Sequence, residues 1–412
     1  MRKVLYTGNH PEIANSLDNI GNVYRALGQN QEALKYFQQA LEIKKAFYTG
    51  NHPDIANSLG NIGNVYYALG QHKEALTYYE QALGMRQAFY TGNHPEIASS
   101  LNNIGLVYNA LGQHQEALKY HEQALGMRQA LYSGNHPDIA GSLNSIGNVY
   151  RALGQHQEAL KYHEQALEMR QALYTDNHPD IAMSLNNIGA VYNDLGQNQE
   201  ALKYYEQALE MRQALYTGNH SDIADSFDRV GRYYFDLKKY QEALKYFQQA
   251  LEMRQALYTD NHSDIADSFN SIGLAYRELN QPQEALKWHQ QTLKIMQILC
   301  RDHHPDMIKL LNNIGEDYFK LGQNQEALKY YEQALEMRKT LYTDNHPDIA
   351  ISLHGIGNVY FNLGQHWEAL RYYEKALGIF QALYTDNHPL IDMVRIDIAR
   401  LKEKREKAKE SI

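Results

Sequence analysis

The chain has a single cysteine in 412 residues, Cys300. No disulfide can form within the chain, so its fold must hold without covalent cross-links, and a reducing, cytoplasmic compartment is the expectation. Cys300 stands where other repeats carry tyrosine, which predicts a packing role. Long apolar runs are missing too. No stretch of about 18 apolar residues exists, so no membrane insertion is predicted. The opening MRKVLYTGNHP lacks the apolar segment of a signal peptide. Positive charge is not in excess: 39 Lys and Arg against 48 Asp and Glu give a formal net charge of −9. A nucleic-acid groove needs a basic stripe, so a nucleic-acid partner is not expected. There is no Pro/Ser-rich linker and no low-complexity tract. There is also no glycine-rich phosphate loop and no nucleophile–base constellation, so neither an enzyme nor a cofactor is expected.

What the chain does have is a period. Histidine recurs at positions 10, 52, 94, 136, 178, 220, 262, 304, 346 and 388, one every 42 residues. A fixed period of this size means one structural unit copied and stacked. Residues 53–94 serve as the type unit. Leu59, Ile62, Gly63 and Tyr66 line one face of a 3.6-period helix, A. Ala75, Leu76, Tyr79, Ala82, Leu83 and Met85 do the same for a second helix, B. Gly70 separates them, where a helix stop needs the left-handed conformation. Pro53 suits the first turn of helix A, Asp54 complements the helix dipole, and Asn51 and His52 read as turn and cap. Helix B has no break before Tyr90-Thr91-Gly92-Asn93, which predicts about 18 to 20 residues.

The glycine equivalent to Gly63 occurs in all nine repeats, at 21, 63, 105, 147, 189, 231, 273, 315 and 357. Glycine inside a helix costs about 0.5–1 kcal/mol relative to alanine, so close helix–helix approach is its expected return. The tyrosine equivalent to Tyr66 should pack between helices A and B. His121, His163 and His289 stand where other repeats have Tyr or Phe and are predicted to pack.

The spacing Leu59-x2-Ile62-Gly63-x2-Tyr66, then Ala75-x3-Tyr79-x2-Ala82, resembles the tetratricopeptide repeat. The 42-residue period, the His-Pro-[Asp/Glu]-x-Ala approach to helix A and the Leu101-Asn102-Asn103-Ile104-Gly105 signature resemble the repeats of kinesin light chain and its bacterial relatives. The resemblance spans about residues 5 to 400. It implies an all-α, right-handed superhelical solenoid of about nine helix pairs with helix A lining the concave surface. The expected organisation is a remnant and turn over 1–10, then nine units (11–52, 53–94, 95–136, 137–178, 179–220, 221–262, 263–304, 305–346 and 347–388). A charged capping helix follows over 389–412. No N-terminal cap is visible, so the first helices are expected to expose a face.

The loop histidines are spaced for helix starts rather than for metal. Stacked repeats lie on the order of 10 Å apart, whereas zinc needs its ligands about 2 Å from one ion, so no metal site is expected. Asp225 with Asp228 and Asp264 with Asp267 read as helix-start acids. Arg86, Arg128, Arg170, Arg212, Arg254 and Arg338 repeat on helix B near Glu80, Glu122, Glu164, Glu206 and Glu332. They read as a solvated face laced with ion pairs.

Opposite the apolar stripe of helix A lies an asparagine-rich face. It holds Asn22 and Arg25; Asn61 and Asn64; Asn102, Asn103 and Asn109; Asn144, Asn148 and Arg151; Asn186, Asn187 and Asn193. It continues as Arg229 and Arg232; Asn270 and Arg277; Asn312 and Asn313; and Asn358. Asparagine is a poor interior helix residue, so a solvated face would favour Glu, Lys or Gln. A carboxamide offers donors and an acceptor, suited to gripping the backbone of an extended peptide. The alternative is that the asparagines bond one another and set the superhelix pitch. Repeats six and seven depart most: Ser221 and Ser263 replace proline, Phe227 and Phe269 replace leucine, and Lys238 and Asn280 replace the stop glycine. Asp225, Asp228, Arg229, Arg232, Tyr233 and Phe235 make the expected specificity spot, with flexing of the superhelix there as the alternative. The expected function is a non-catalytic scaffold binding an extended segment of a partner protein along the groove. The kinesin-light-chain resemblance implies acidic segments with an aromatic anchor, met by Arg25, Arg151, Arg229, Arg232, Arg277 and Lys309. The alternative expectation is a regulatory or assembly array acting in trans, self-associating as a homodimer through its uncapped N-terminal end.

Overall fold

The structure, a computed structural model, describes residues 10–258, 261–299, 305–341, 346–384 and 388–410, the last with side chains through 404. Cys300 and His304 lie outside the described residues. Among the described residues there are nineteen helices and no strand. They fall into two compact units, Met1–His262 and Ser263–Ile412.

The first unit holds six helix pairs: α1 (Pro11–Ala26) with α2 (Asn30–Phe47), α3 (Pro53–Ala68) with α4 (His72–Phe89), α5 (Pro95–Ala110) with α6 (His114–Leu131), α7 (Pro137–Ala152) with α8 (His156–Leu173), α9 (Pro179–Asp194) with α10 (Asn198–Leu215), and α11 (Ser221–Asp236) with α12 (Tyr240–Leu257). The second unit holds three pairs and a last helix. These are α13 (Ser263–Glu278) with α14 (Pro282–Leu299), α15 (Pro305–Lys320) with α16 (Asn324–Leu341), α17 (Pro347–Asn362) with α18 (His366–Leu383), and α19 (Pro389–Glu410). Each A helix packs on its own B helix, which packs on the next A helix within the unit. No helix among the described residues is long and apolar enough to cross a membrane.

The histidines start the A helices as caps. The His52 ring accepts from the Asp54 N–H through Nδ1 at 3.2 Å, and the same bond recurs at His94, His136, His178 and His220. Each ring lies flat on the tyrosine that ends the preceding B helix; Tyr48 and His52 have centroids 3.5 Å apart and planes within 8°. Histidine thus does the capping work usual for Ser or Asp while burying a face of its ring. The stop is equally local. Gly70 ends α3 at φ 70°, and its neighbours close the turn through Gln71 N–H to Tyr66 O at 2.9 Å. Lys238 and Asn280 hold the same conformation without glycine, at φ 59° and 58°.

The buried glycines do what their spacing implies. A Cβ on Gly63 would stand 2.7 Å from the Tyr79 ring, and one on Gly21, Gly105 or Gly231 would meet Phe37, His121 or Phe247 as closely. His121, His163 and His289 are fully buried packing residues. The Tyr66-type tyrosines stack on helix B, as Tyr66 does on Tyr78 at 5.3 Å.

The arginines of helix B overturn the expectation of a solvated face. Arg170 is 2% exposed. Its Nη1 donates to Asp180 O at 3.0 Å and to Ser184 Oγ at 2.6 Å, on the next A helix. Arg86, Arg128, Arg212 and Arg338 make the same pair of bonds, to Ser100, Ser142, Ser226 and Ser352 and to carbonyls ten residues on. Lys44 does so in the first pair, to Ser58 at 3.0 Å. These cations are inter-repeat staples, and the salt bridge of Arg86 goes to Glu96 rather than Glu80. In the second unit two positions abandon the device. Met296 faces the site of Leu310 in the repeat pattern, and Phe380 that of Val394, with both members of each pair apolar.

Candidate binding face

Within the first unit, neighbouring A helices lie side by side and are laced by polar side chains. Asn187 Nδ2 on α9 donates to Asn144 Oδ1 on α7 at 2.6 Å. Arg151 pairs with Asp194, and Asn193 Nδ2 donates to Asp236 Oδ2 at 2.9 Å. Part of the predicted set is therefore bonded between neighbouring A helices.

Other asparagines of the face are engaged by a ring of their own repeat's helix B. Tyr79 donates its hydroxyl to Asn64 Oδ1 at 2.7 Å. The His121 ring bonds Asn102 at 2.9 Å, and the His163 ring bonds Asn144 at 3.1 Å. Because the carboxamide oxygen accepts, each ring carries its proton on Nδ1, and Nε2 is left buried without a partner. Burial is the main reason both rings are pushed down to about 4, with arginine charge nearby acting the same way. Phe37 offers no polar atom, and the Asn22 side chain above it makes no hydrogen bond among the described residues. Asn109 bonds the His114 ring at 2.9 Å.

Four of the predicted asparagines, Asn22, Asn61, Asn103 and Asn148, make no side-chain hydrogen bond among the described residues and stay half-buried on successive A helices. Asn186 departs from the expectation of an outward-facing residue. It is 1% exposed, and neither its carboxamide oxygen nor its nitrogen has a partner among the described residues. Asn144 is likewise buried.

On α7, α9 and α11 this face opens into a cavity of about 430 Å³, lined by Arg151, Ala190, Asn193, Tyr205, Asp225, Asp228, Arg229, Arg232, Tyr233 and Asp236. The structure thus brings together most of the sixth-repeat residues singled out by sequence. Phe235 instead packs edge-on against Tyr240. Asp225 and Asp228 are not helix-start acids, since both lie beyond the first turn of α11. Asp225 accepts from Arg254 at 2.7 Å, and Asp228 accepts from Arg232 Nε at 2.7 Å. Sequence reasoning missed Ala190 and Tyr205. The signal was available, because Ala190 occupies the position of Asn64, and Tyr205 that of Tyr79.

In the second unit, Arg277 donates to Asn313 Oδ1 at 3.0 Å and pairs with Glu316 at 3.2 Å, while Asn313 reaches Asn270 at 3.4 Å. Asn312 accepts from Ser352, and Asn358 accepts from Tyr373. Every predicted residue of this unit is therefore engaged. His289 and Asp317, both fully buried, bond each other across α14 and α15.

No group of three or more His, Cys, Asp or Glu among the described residues could hold a metal ion.

The sequence model of the tetratricopeptide repeat matches residues 1–46, 12–88, 54–130, 96–172, 138–214, 222–298, 306–382 and 349–412. No curated protein matches the chain. Among solved structures, the nearly identical TPR-like repeats assigned to a kinesin light chain of Podosopora anserina are 27% identical. They cover 51% of this chain and 99% of theirs, with a TM-score of 0.43. The apo form of the quorum sensor NprR from B. thuringiensis is 18% identical, with 92% of this chain and 100% of that one covered and a TM-score of 0.56. A Rap protein complexed with competence and sporulation factor is also 18% identical, with 91% and 99% covered and a TM-score of 0.55. The last two share the fold. With the repeat pattern matched along nearly its whole length, the chain belongs to the tetratricopeptide repeat family.

Proposed function

We propose that the chain is a non-catalytic scaffold that binds an extended segment of a partner protein along the A-helix face of its first unit. One observation carries this reading: Asn22, Asn61, Asn103 and Asn148 offer free carboxamides on successive repeats, while neighbouring asparagines are consumed internally. An extended backbone presents N–H and C=O groups at regular intervals, and carboxamides can meet both. The surface is already formed, so little ordering cost falls on the protein. A family that generally serves protein interaction supports the reading, as does a Rap protein of this fold complexed with competence and sporulation factor.

The test is capture from the lysate of the source cell, using wild-type chain and a variant with Asn22, Asn61, Asn103 and Asn148 changed to Ala. Circular dichroism verifies that the variant keeps its helices. A partner held by wild type and lost from the variant is the expected outcome. Equal capture by both would move the site off this face.

A second reading, self-association into a homodimer, draws on α1. Ile20, Val23 and Leu27 are exposed there, Val23 by 59%, at positions where Ile62, Val65 and Leu69 are buried in the next repeat. Light scattering of wild type against Val23→Lys tests it: a dimer that the substitution dissociates supports it, and a monomeric wild type ends it.

A further inference from the structure

Both ends of a repeat lie at one edge of the array. The His10 ring that starts α1 is 6.2 Å from Phe47 at the end of α2, and Tyr48 stacks on His52 of the next repeat at 3.5 Å. A helix pair can therefore be left out of the stack and its neighbours joined, at a loop-closure cost that grows only slowly with the length omitted. Misassembly of this kind is a characteristic failure of repeat proteins, and what prevents it must lie in the junctions.

Most junctions are interchangeable. Each B helix meets the following A helix at two recurring points. One is the staple, Arg with Ser in most repeats. The other is the ring: Phe37 packs with Val65, Tyr79 with Val107 and Tyr331 with Val359 in shared apolar clusters. An A helix carrying Ser and Val accepts any B helix carrying Arg and a ring.

The junction of α14 with α15 differs at both points. Asp317, at the Val65 position, is 0% exposed, and its Oδ2 is 2.5 Å from Nδ1 of the fully buried His289. Leu310 takes the place of the serine, opposite Met296 in the repeat pattern. The ring bonds across the junction rather than within its repeat. His121 and His163 bond Asn102 and Asn144 of their own A helices, whereas the equivalent Asn270 accepts from Asn313. Burying a carboxylate without a donor is costly, and so is burying a guanidinium against leucine. α15 therefore fits a B helix that has both a donor ring and an apolar residue at the staple position. α6 and α8 have the histidine but bring Arg128 and Arg170. α18 has the apolar Phe380, but its ring, Tyr373, gives its hydroxyl to Asn358. Of the nine B helices, α14 alone combines histidine with an apolar staple residue.

We infer that His289–Asp317 and Met296–Leu310 form a two-point key that fixes the register of the eighth repeat on the seventh. Its role is to reject wrong neighbours rather than to add stability, since register is the best-attested use of a buried polar pair.

The full chain is unfolded in urea, refolded by dilution and followed by hydrogen exchange with mass spectrometry over α13 to α16. Wild type should return to one isotopic envelope per peptide. Leu310→Ser with Asp317→Val removes the key from α15 and gives it the residue types of Ser352 and Val359. This variant should add a second, fast-exchanging envelope over α13 and α14, the pair left out, holding about a tenth of the molecules or more. Adding His289→Tyr and Met296→Arg restores a matched junction of the common type and should shrink that envelope without removing it. A single envelope in both variants would overturn the key, whether protected as in wild type or uniformly faster. The uniformly faster case would leave the pair as a stabilising contact only.

Discussion

Two regions of the first unit share one framework and differ in whether it is sealed. In α3 and α4, Asn64 closes over Tyr79 and takes its hydroxyl proton. In α9 and α10 the same two positions hold Ala190 and Tyr205, and both residues line a cavity of about 430 Å³. The close approach of glycine to ring persists in both, with contacts of 2.7 Å at Gly63 and 3.0 Å at Gly189. Helix pairing and surface chemistry are therefore separable in this array. The stripe that builds the repeat is kept, while the row above it varies and either consumes its polar groups or leaves them without a partner among the described residues.

The largest expected effect concerns rings that seal the face in the neighbouring repeats. His121 and His163 are held neutral by burial, down to about 4 against an ordinary value of 6.5. A depressed histidine means that the unfolded chain takes up its proton first. Stability is full above about pH 6.5, falls as the pH drops, and levels off below about pH 4, by on the order of 3 kcal/mol for each ring. Denaturation midpoints between those limits should fall less steeply for a His121→Phe, His163→Phe variant, phenylalanine being the residue at the equivalent Phe37 and Phe247. Identical slopes would contradict the assignment.

A second effect should be the same in sealed and open regions, because the staples lie on the other side of the A helices' apolar stripe. Ser184→Leu strands the buried Arg170 and should cost about 3 kcal/mol. Adding Arg170→Met reproduces the Met296–Leu310 pairing of the second unit and should recover most of that loss, since removing both members of a buried polar pair is nearly neutral. Hydrogen exchange in α8 and α9 reads both variants. No recovery in the double variant would show that the staple has a role the apolar pair cannot fill.

The smallest effect lies at the helix stop beside the open region. Lys238 sits at φ 59°, where an L-residue is disfavoured, so Lys238→Gly should stabilise the sixth pair by about 1 kcal/mol. Asn280→Gly should gain less, because asparagine tolerates that conformation. Urea unfolding of each variant checks the order.

Much of the fold was legible in the sequence because each signal is local and repeated. The 42-residue period, the glycine facing a ring, the histidine cap and the stop at Gly70 are all decided within one repeat. The arginine staples were not legible residue by residue, since arginine at a helix surface reads as solvated. Only the paired change, Arg with Ser in most repeats but Met296 with Leu310 and Phe380 with Val394, betrays a contact 14 residues apart. The asparagines were hidden for a similar reason. Asn64, Asn102 and Asn144 are each bonded by a Tyr or His that lies 15 or 19 residues later, a contact that side-chain geometry reveals and helical periodicity does not.

The most direct test exchanges the seal between the two regions. Ala190→Asn should close the cavity as Asn64 does, and Asn64→Ala should open one over Tyr79. Capture of the partner from the source-cell lysate is compared on both variants. Binding lost on Ala190→Asn and kept on Asn64→Ala is the result this account predicts. Binding unchanged by Ala190→Asn would contradict it and place the ligand away from the open face of α7, α9 and α11.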